Sequence, residues 1–466
     1  EGPRASGGFL LCRGERALTG APQRTTLREQ PPQQARLLSA MHCSRRRFLE
    51  LCAGTALGAA GAVELFGNRA IPAELLSTPL REGSVPWGDA AWRKRAIGSL
   101  WREWERSGPT PVEQLSPPFN PAITLLFKNE ARSVTGSLKH RVAWSLLMWG
   151  LIGGHIKRDT HLYERTSGNT GIAEAYFARK LGLKFTAVTA ANVSPLKLDA
   201  IRSYGGRVLQ APQGQSVAEF YKETLAADPA AYDIGQFANT EKAIAYFKGT
   251  PAESENLANE LWLQLRAKGL GDPKWLVAGA GSGGTATSVG RYIRKWPPQS
   301  RSRQDTQLLV MDPERSVLFD WYLSGDSDLR ITTPSRIEGV GSSGPIRFGE
   351  TFSLQREVVD RMLKVPDALT MAGMHLLSSI VKFKVGPSSG LNFIGILRLA
   401  CELQAAGETG VLATVICDDG RRYADTYYNP LWVQAQGLEW QHLAQPLGEA
   451  WRTGQWPKEL EIALSR

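Results

Sequence analysis

The sequence predicts an α/β fold of parallel sheets flanked by helices. Two observations lead there. From about residue 85 onward, short apolar runs of strand length alternate with segments of helical period, and strands alternating with helices make parallel sheets buried on both faces. The chain also has the bulk for such a fold. Its 466 residues are 42% apolar and 21% charged, the balance of a globular protein with room for two domains.

The elements follow in order. His161–Glu164 reads as a strand, followed by a Thr/Ser/Gly/Asn loop and a helix over Gly171–Leu181. Lys184–Thr189 is a second strand. Ser194 and Pro195 supply an N-cap and an N1 proline for a helix that closes at Gly205-Gly206. Arg207–Gln210 is a strand, Ser216 caps a helix to about Ala227, and Asp233–Phe237 is extended. A helix near Glu253–Lys268, a strand Trp275–Ala278, a helix from Thr285 and a strand Gln307–Met311 come next. Helices near Asp367–Lys382 and Leu391–Ala406 precede a last strand, Val411–Cys417. No internal repeat interrupts this body.

Charge and cysteine usage narrow the function. The formal charge is +10, but nine arginines against four glutamates within residues 1–61 account for half of it. The excess left for the body is too mild for a polyanion-binding protein, so no nucleic-acid partner is expected. Cys12, Cys43 and Cys52 precede residue 60; Cys401 and Cys417 alone lie in the body. No CxxC pair or Cys/His cluster has ligand spacing, so no metal site is expected. Cys401 sits in an apolar helical pattern and reads as core.

Residues 1–40, rich in Arg, Gln, Pro and Gly, read as disordered, or as an extension upstream of a start at Met41. Behind Met41 comes Ser44-Arg45-Arg46-Arg47-Phe48-Leu49, then an apolar run from Leu51 to Val63. That run is too short to span a bilayer, which takes about 20 residues. A charged segment, a short apolar run and small residues make a signal-peptide profile, and the arginine pair resembles the twin-arginine address. Residues 41–73 are therefore expected to be an export signal, cut after Ala62 or Ala73, that hands a folded protein to the twin-arginine translocase and the periplasm.

Three motifs could carry chemistry. Gly279-Ala-Gly281-Ser-Gly283-Gly284 lies between a strand and a helix, where glycines let backbone N–H groups approach an anion. It also matches G-x-G-x-x-G, and Asp312 ends the next strand as a ribose-binding acid would, which keeps a nicotinamide-dependent oxidoreductase as a rival. Thr166-Ser167-Gly168-Asn169-Thr170-Gly171 opens another helix, and its small polar side chains suit a carboxylate. In Ser133-Val-Thr135-Gly136-Ser137-Leu-Lys139-His140-Arg141, Ser137 is placed to cap a helix whose first turn carries Lys139. A lysine there opposes the helix dipole, and an amine kept neutral can form a Schiff base.

In this order the three motifs resemble those of the cysteine synthase and cystathionine β-synthase family of pyridoxal-phosphate enzymes, fold type II. The resemblance covers roughly residues 85–430. It implies a two-domain fold with a large cofactor-binding domain (85–140 and 241–440), a small mobile domain (141–240) and a C-terminal helical tail (441–466). It also implies that Lys139 is the Schiff-base lysine and general base, and that Asn169 meets the cofactor's ring oxygen. Gly281, Ser282, Gly283, Gly284 and Thr285 match the phosphate cup, with Ser282 in place of the usual Thr. Thr166, Ser167, Gly168 and Thr170 match the substrate-carboxylate loop, and Gln236 in Gln-Phe-Ala-Asn resembles a further carboxylate contact. Gly339 belongs to Ser335-Arg-Ile-Glu-Gly339-Val-Gly341, which resembles the active-site Gly loop. Ser388 in Gly386-Pro-Ser388-Ser389-Gly390 matches the serine at the pyridine nitrogen. A homodimer is the family expectation.

His140 departs from the family, which carries Asp after the lysine and its spacer. Gly-Ser-Leu-Lys-His-Arg, Arg-Ile-Glu-Gly and Arg-Tyr-Ala-Asp-Thr-Tyr look closer to the bacterial L-cysteine desulfhydrase subgroup. The implied reaction is β-elimination or β-replacement on L-cysteine or O-acetylserine: desulfhydration of cysteine to sulfide, pyruvate and ammonia, with cysteine synthase as the alternative. A non-catalytic cofactor-binding protein is a more remote reading.

Overall fold

The structure is a computed structural model that describes residues 87–245, 257–295 and 306–462. The extension 1–40 and the signal 41–73 lie outside the described residues.

In chain order the elements are α1 (Trp87–Ser107), β1 (Val112–Leu115), β2 (Ile123–Asn129), α2 (Lys139–Ile152), β3 (His161–Arg165), α3 (Asn169–Leu181), β4 (Lys184–Thr189) and α4 (Pro195–Ser203). Then come β5 (Arg207–Gln210), α5 (Val217–Ala226), β6 (Ala231–Asp233), α6 (Gln236–Ala245), α7 (Leu257–Ala267), β7 (Trp275–Gly279) and α8 (Gly284–Lys295). The remainder is β8 (Gln307–Pro313), α9 (Leu318–Ser324), β9 (Arg361–Val365), α10 (Asp367–Val381), α11 (Pro387–Ala405), β10 (Gly410–Ile416), α12 (Pro430–Ala435), α13 (Gln441–Thr453) and α14 (Lys458–Ile462).

The strands form two sheets, one ordered β1-β2-β10-β7-β8-β9 and one ordered β5-β4-β3-β6. Among the described strands, only the β1–β2 pair is antiparallel. Alternation along the larger sheet's strands explains why both of its faces are dry. On β2, Ile123, Leu125 and Phe127 face one core while Leu126 faces the other; on β8, Leu309 and Met311 face the first, Leu308 and Val310 the second. Helices α10, α11 and α13 cover the first core and α7, α8 and α9 the second. Around the smaller sheet, α2 and α3 build one core and α5 contributes to the other.

Helix α1 joins the smaller sheet's core, although the sequence reading grouped residues 85–140 with the larger sheet. Leu100 and Trp101 are buried there, and Trp101 packs edge-on against Trp144 of α2 at 5.1 Å. Strands β1, β2 and β9 were not foreseen. β9 is short and carries Arg361 and Lys364, and β2 ends in Lys128 and Asn129, both fully buried. The extended segment expected over Asp233–Phe237 stops at Asp233, and α6 opens at Gln236. Helix α11 begins at Pro387, earlier than Leu391, because proline at N1 costs no hydrogen bond. Among the described residues, no helix is long and apolar enough to cross a membrane.

Candidate active site

A cavity of about 590 Å³ opens between the two sheets. Its wall is built at and just beyond the carboxyl ends of strands: Arg165 and Thr166 from β3, Ala190 from β4, Gly279 from β7, Val415 and Cys417 from β10. That is where open parallel sheets bind ligands. All the site residues that the family resemblance implies line it, except Gly168. Gly168 instead shapes the loop: it is the N-cap of α3 with φ 137°, and a Cβ there would meet Lys197 Cδ at 2.6 Å.

Lys139 is the first residue of α2, and its amine makes no hydrogen bond or ion pair with a described residue. Burial, the largest influence, lowers its pKa below the usual lysine range, against the pull of Cys417 and Asp418. The expected cap is absent. Leu138 takes the N-cap position, and the Ser137 backbone N–H donates to Ser133 Oγ at 2.9 Å. The Ser137 hydroxyl is left buried in the cavity wall without a partner. His140 is buried neutral, pushed down to about 4 by burial and then by Arg141.

The glycine loop is held from behind. Gly341 N–H donates to Ala280 O at 2.8 Å and Ser353 N–H to Ser282 O at 2.7 Å. A Cβ on Gly281 would sit 2.2 Å from Gly339 O, and one on Gly283 2.2 Å from Leu354 N. Only glycine fits. Because α8 begins at Gly284, the first N–H groups of this helix have no intrahelical acceptor and face the cavity. Gly339 abuts the glycine turn in a loop fixed by Asp367, which accepts from Ser335 Oγ at 2.7 Å and Arg336 N–H at 2.9 Å.

The carboxylate loop is also pre-shaped. Thr166 Oγ1 accepts from Gly168 N–H at 3.0 Å and Gly171 N–H at 3.2 Å, so Thr166 serves the loop's turn. Thr170 Oγ1 donates to Gln236 Oε1 at 2.7 Å. Gln236 Nε2 donates to Arg165 O at 3.1 Å, and Gln236 N–H donates to Glu164 Oε2 at 3.0 Å. Ser388 lies in the first turn of α11, and the neighbouring Ser389 Oγ accepts from Cys417 N–H at 2.9 Å, which ties that turn to β10.

Sequence reasoning missed a second group of wall residues. Asp418 Oδ2 accepts from Asn169 Nδ2 at 2.6 Å and from the Tyr423 hydroxyl. Asn169 Oδ1 accepts from Arg422 Nη1 at 2.8 Å, and Arg422 also donates to Thr135 O. Beside them Lys197, nearly inaccessible, pairs with Glu338 and lies 4.3 Å from the Tyr423 ring centroid. Arg422 and Tyr423 open the Arg-Tyr-Ala-Asp-Thr-Tyr stretch, and polar residues between a strand end and a turn are the local signal for such a wall. Cys417 is here too, its thiol pushed up to about 12 by burial first and Asp418 second, which makes it inert at neutral pH. Cys401 is core, as expected.

Asp312 does not serve the nucleotide reading. It is buried away from the cavity, and its Oδ2 accepts from Phe319 N–H at 2.9 Å at the start of α9. No cluster of His, Cys, Asp or Glu among the described residues could hold a metal ion.

The donor set fits pyridoxal phosphate. A phosphate suits a glycine turn no Cβ could enter, at a helix N-terminus. An amine without a partner and an orphaned buried hydroxyl, Ser137 Oγ, stand in the same wall. Fold and site together define an enzyme built around that cofactor, and comparison agrees: residues 104–418 match the family model described as pyridoxal-phosphate dependent enzyme. The chain belongs to that family. It is 37% identical over 370 residues to the L-cysteine desulfhydrase Cds1 of Mycobacterium tuberculosis (strain ATCC 25177 / H37Ra), covering 78% of this chain and 96% of that protein. Among solved structures it resembles an O-acetylserine dependent cystathionine β-synthase from Helicobacter pylori, at 27% identity and a TM-score of 0.56, over 70% of this chain and 97% of that one. It also resembles a hydrogen sulfide-producing enzyme solved with an α-aminoacrylate intermediate, at 25% identity and a TM-score of 0.57, over 71% and 91%.

Proposed function

We propose that the chain is an L-cysteine desulfhydrase, which releases sulfide from cysteine by β-elimination and leaves pyruvate and ammonia. The observation that carries the reading is the unpaired Lys139 amine in the cavity, with the glycine turn and the small polar loop on its walls. The likeness to a desulfhydrase over almost that protein's full length supports the substrate.

When bound, pyridoxal phosphate supplies an electron sink for the Cα–H bond's electrons. Every other role falls to the chain. Gly281, Ser282, Gly283, Gly284 and Thr285 hold the phosphate at the start of α8. Asn169 and Ser388 hold the ring, Asn169 fixed in place by Asp418 and Arg422. Ser167, Thr170 and Gln236, with Thr166 shaping the turn, seat the substrate carboxylate at the start of α3, where the helix dipole favours an anion. The Lys139 amine, whose pKa burial lowers, takes the Cα proton and returns one. Loss of the Cβ–S bond releases hydrosulfide, and water completes the conversion of the remaining three carbons to pyruvate and ammonia.

β-Replacement, with O-acetylserine as substrate and a thiol or sulfide as nucleophile, is the second reading, favoured by the likeness to an O-acetylserine dependent synthase. Sulfide release from cysteine, measured beside O-acetylserine turnover in one preparation, separates the two. Sulfide without O-acetylserine turnover supports desulfhydration; the reverse overturns it.

Assembly as a homodimer and export by the twin-arginine route complete the proposal. Equilibrium sedimentation tests the first. For the second, the paired Arg45→Lys and Arg46→Lys substitutions should leave activity intact but confine it to the cytoplasm; unchanged export defeats it.

A further inference from the structure

Behind the carboxylate loop lies a pair of acids that the reaction does not use. Glu164 ends β3's buried face and Glu174 lies on α3; both are almost wholly inaccessible. Neither Glu174 carboxyl oxygen meets a donor, and the group it faces is the Glu164 carboxyl. Two ionised carboxylates so placed, with no cation between them, would carry a prohibitive desolvation and repulsion cost. The groups facing the pair from the surrounding elements do not relieve it. Asp233 of β6 adds a like charge, Tyr221 of α5 spends its hydroxyl on Asp233 Oδ1 at 2.6 Å, and Arg165 pulls weakly from the far side of β3. One arrangement satisfies the geometry: a proton between the two.

Glu164 is also the hub of the substrate side. Its Oε2 accepts Gln236 N–H at 3.0 Å and its Oε1 lies 3.5 Å from Gln236 Nε2. Gln236 Oε1 in turn takes the Thr170 hydroxyl at 2.7 Å. An unbroken line of side chains thus runs from Glu174 through Glu164 and Gln236 to Thr170 in the cavity wall.

We propose that Glu164 and Glu174 share a single proton and act as a positioning pair, holding Gln236 and Thr170 in register for the substrate carboxylate. The proposal rests on those two residues belonging to the substrate subsite. Loss of the shared proton sets two carboxylates against each other, displaces Glu164 and takes Gln236 with it. Burial, then Asp233, raises Glu164, and burial, then Glu164, raises Glu174, so the last proton of the pair leaves on the alkaline side of neutrality. The apparent KM for the amino-acid substrate therefore rises with pH there, while kcat changes little.

Two measurements on the holoenzyme test it. Infrared difference spectroscopy at neutral pH should show the carbonyl stretch of a protonated carboxylic acid, shifted or weakened in Glu174→Gln, whose amide keeps a neutral donor toward Glu164. That readout does not depend on what the substrate is, so it separates the acid pair from the functional reading. In the wild type KM should climb about tenfold across the alkaline limb; in Glu174→Gln it should stay flat, at about the wild-type low-pH value. A missing acid band, or a Glu174→Gln profile identical to wild type, overturns the proposal. If the band is present but Gln236→Ala leaves KM unchanged, the link to substrate fails.

Discussion

The side-chain amide of Asn169 donates to Asp418 Oδ2 at 2.6 Å, across 249 residues of sequence. The first residue of α3 is thereby fastened to the end of β10. Asp418 also takes the Tyr423 hydroxyl, and Arg422 closes the far side of Asn169. Burial raises the Asp418 pKa, while Tyr423, Arg422 and Lys197 act to lower it.

Asp418→Ala should therefore leave the buried Tyr423 hydroxyl without its acceptor and the half-buried Asn169 amide with only the Tyr423 hydroxyl, at 3.2 Å. Each unsatisfied group costs about 1–3 kcal/mol, so the urea midpoint should fall markedly. Turnover should drop as well, because Asn169 loses its anchor. Chemical denaturation with parallel assays checks both.

Lys197 and Glu338 make an asymmetric pair. Lys197 is 1% exposed and Glu338 30%. Glu338→Gln leaves the buried ammonium with only the more distant Asp418 as counter-charge, a loss of about 3–5 kcal/mol for fully buried pairs and less here because Glu338 is partly solvated. Lys197→Met leaves a carboxylate that water reaches. Glu338→Gln should be the more destabilising of the two by denaturation midpoint; equal midpoints would refute the asymmetry.

Gly281→Ala places a methyl 2.2 Å from a backbone oxygen, so the glycine turn must open. Cofactor content of the purified protein should fall at least tenfold, measured by absorbance and phosphate analysis. Gly182→Ala is the control. Its φ is +67° with nothing within 4 Å, so it should cost about 1–2 kcal/mol of left-handed strain and leave cofactor content unchanged.

Beneath α2, Arg141 joins Glu130 and Glu260, and Lys128 also meets Glu260. Burial raises the Glu260 pKa, but Arg141 and Lys128 outweigh it and hold the group at about 2. A carboxyl lowered on folding stabilises above its unfolded pKa, and that stability disappears as pH falls through the folded value. The stability gap between wild type and Glu260→Gln should be full at pH 7 and close between about pH 4.5 and 2. Denaturation midpoints across that window check the sign.

Local motifs made much of the site legible. Lys139, the Thr166–Gly171 loop, the Gly281–Thr285 turn and Ser388 each sit where a strand end or turn meets a helix, and Gly, Ser, Thr and Pro mark such junctions within a few residues. The Ser137 cap failed because the His140 N–H donates to the Ser137 carbonyl at 3.0 Å and not to its hydroxyl. What stayed hidden was long-range. Nothing near Arg141 announces Glu260, 119 residues on, and nothing near Asn169 announces Asp418. Glu174 faces Glu164 only because α3 packs against β3. Side-chain polarity in strands misled as well: Lys128 is wholly buried because Thr110, Glu260 and Gln264 surround its amine.

Strand β10 is the last strand made and the innermost laid down. It pairs with β2 from Gly410 opposite Ile123 to Ile416 opposite Asn129, and with β7 on its other edge. A ribosome that has delivered everything up to α11 has therefore released two half-sheets with facing raw edges and no seam between them. Such a chain exposes unpaired strand edges of the kind that invite aggregation. A stop codon just before Gly410 would remove the keystone of the larger sheet and with it the whole Asp418–Tyr423 wall, so the penalty of early termination is total. Ordering of that sheet belongs to the final moments of synthesis.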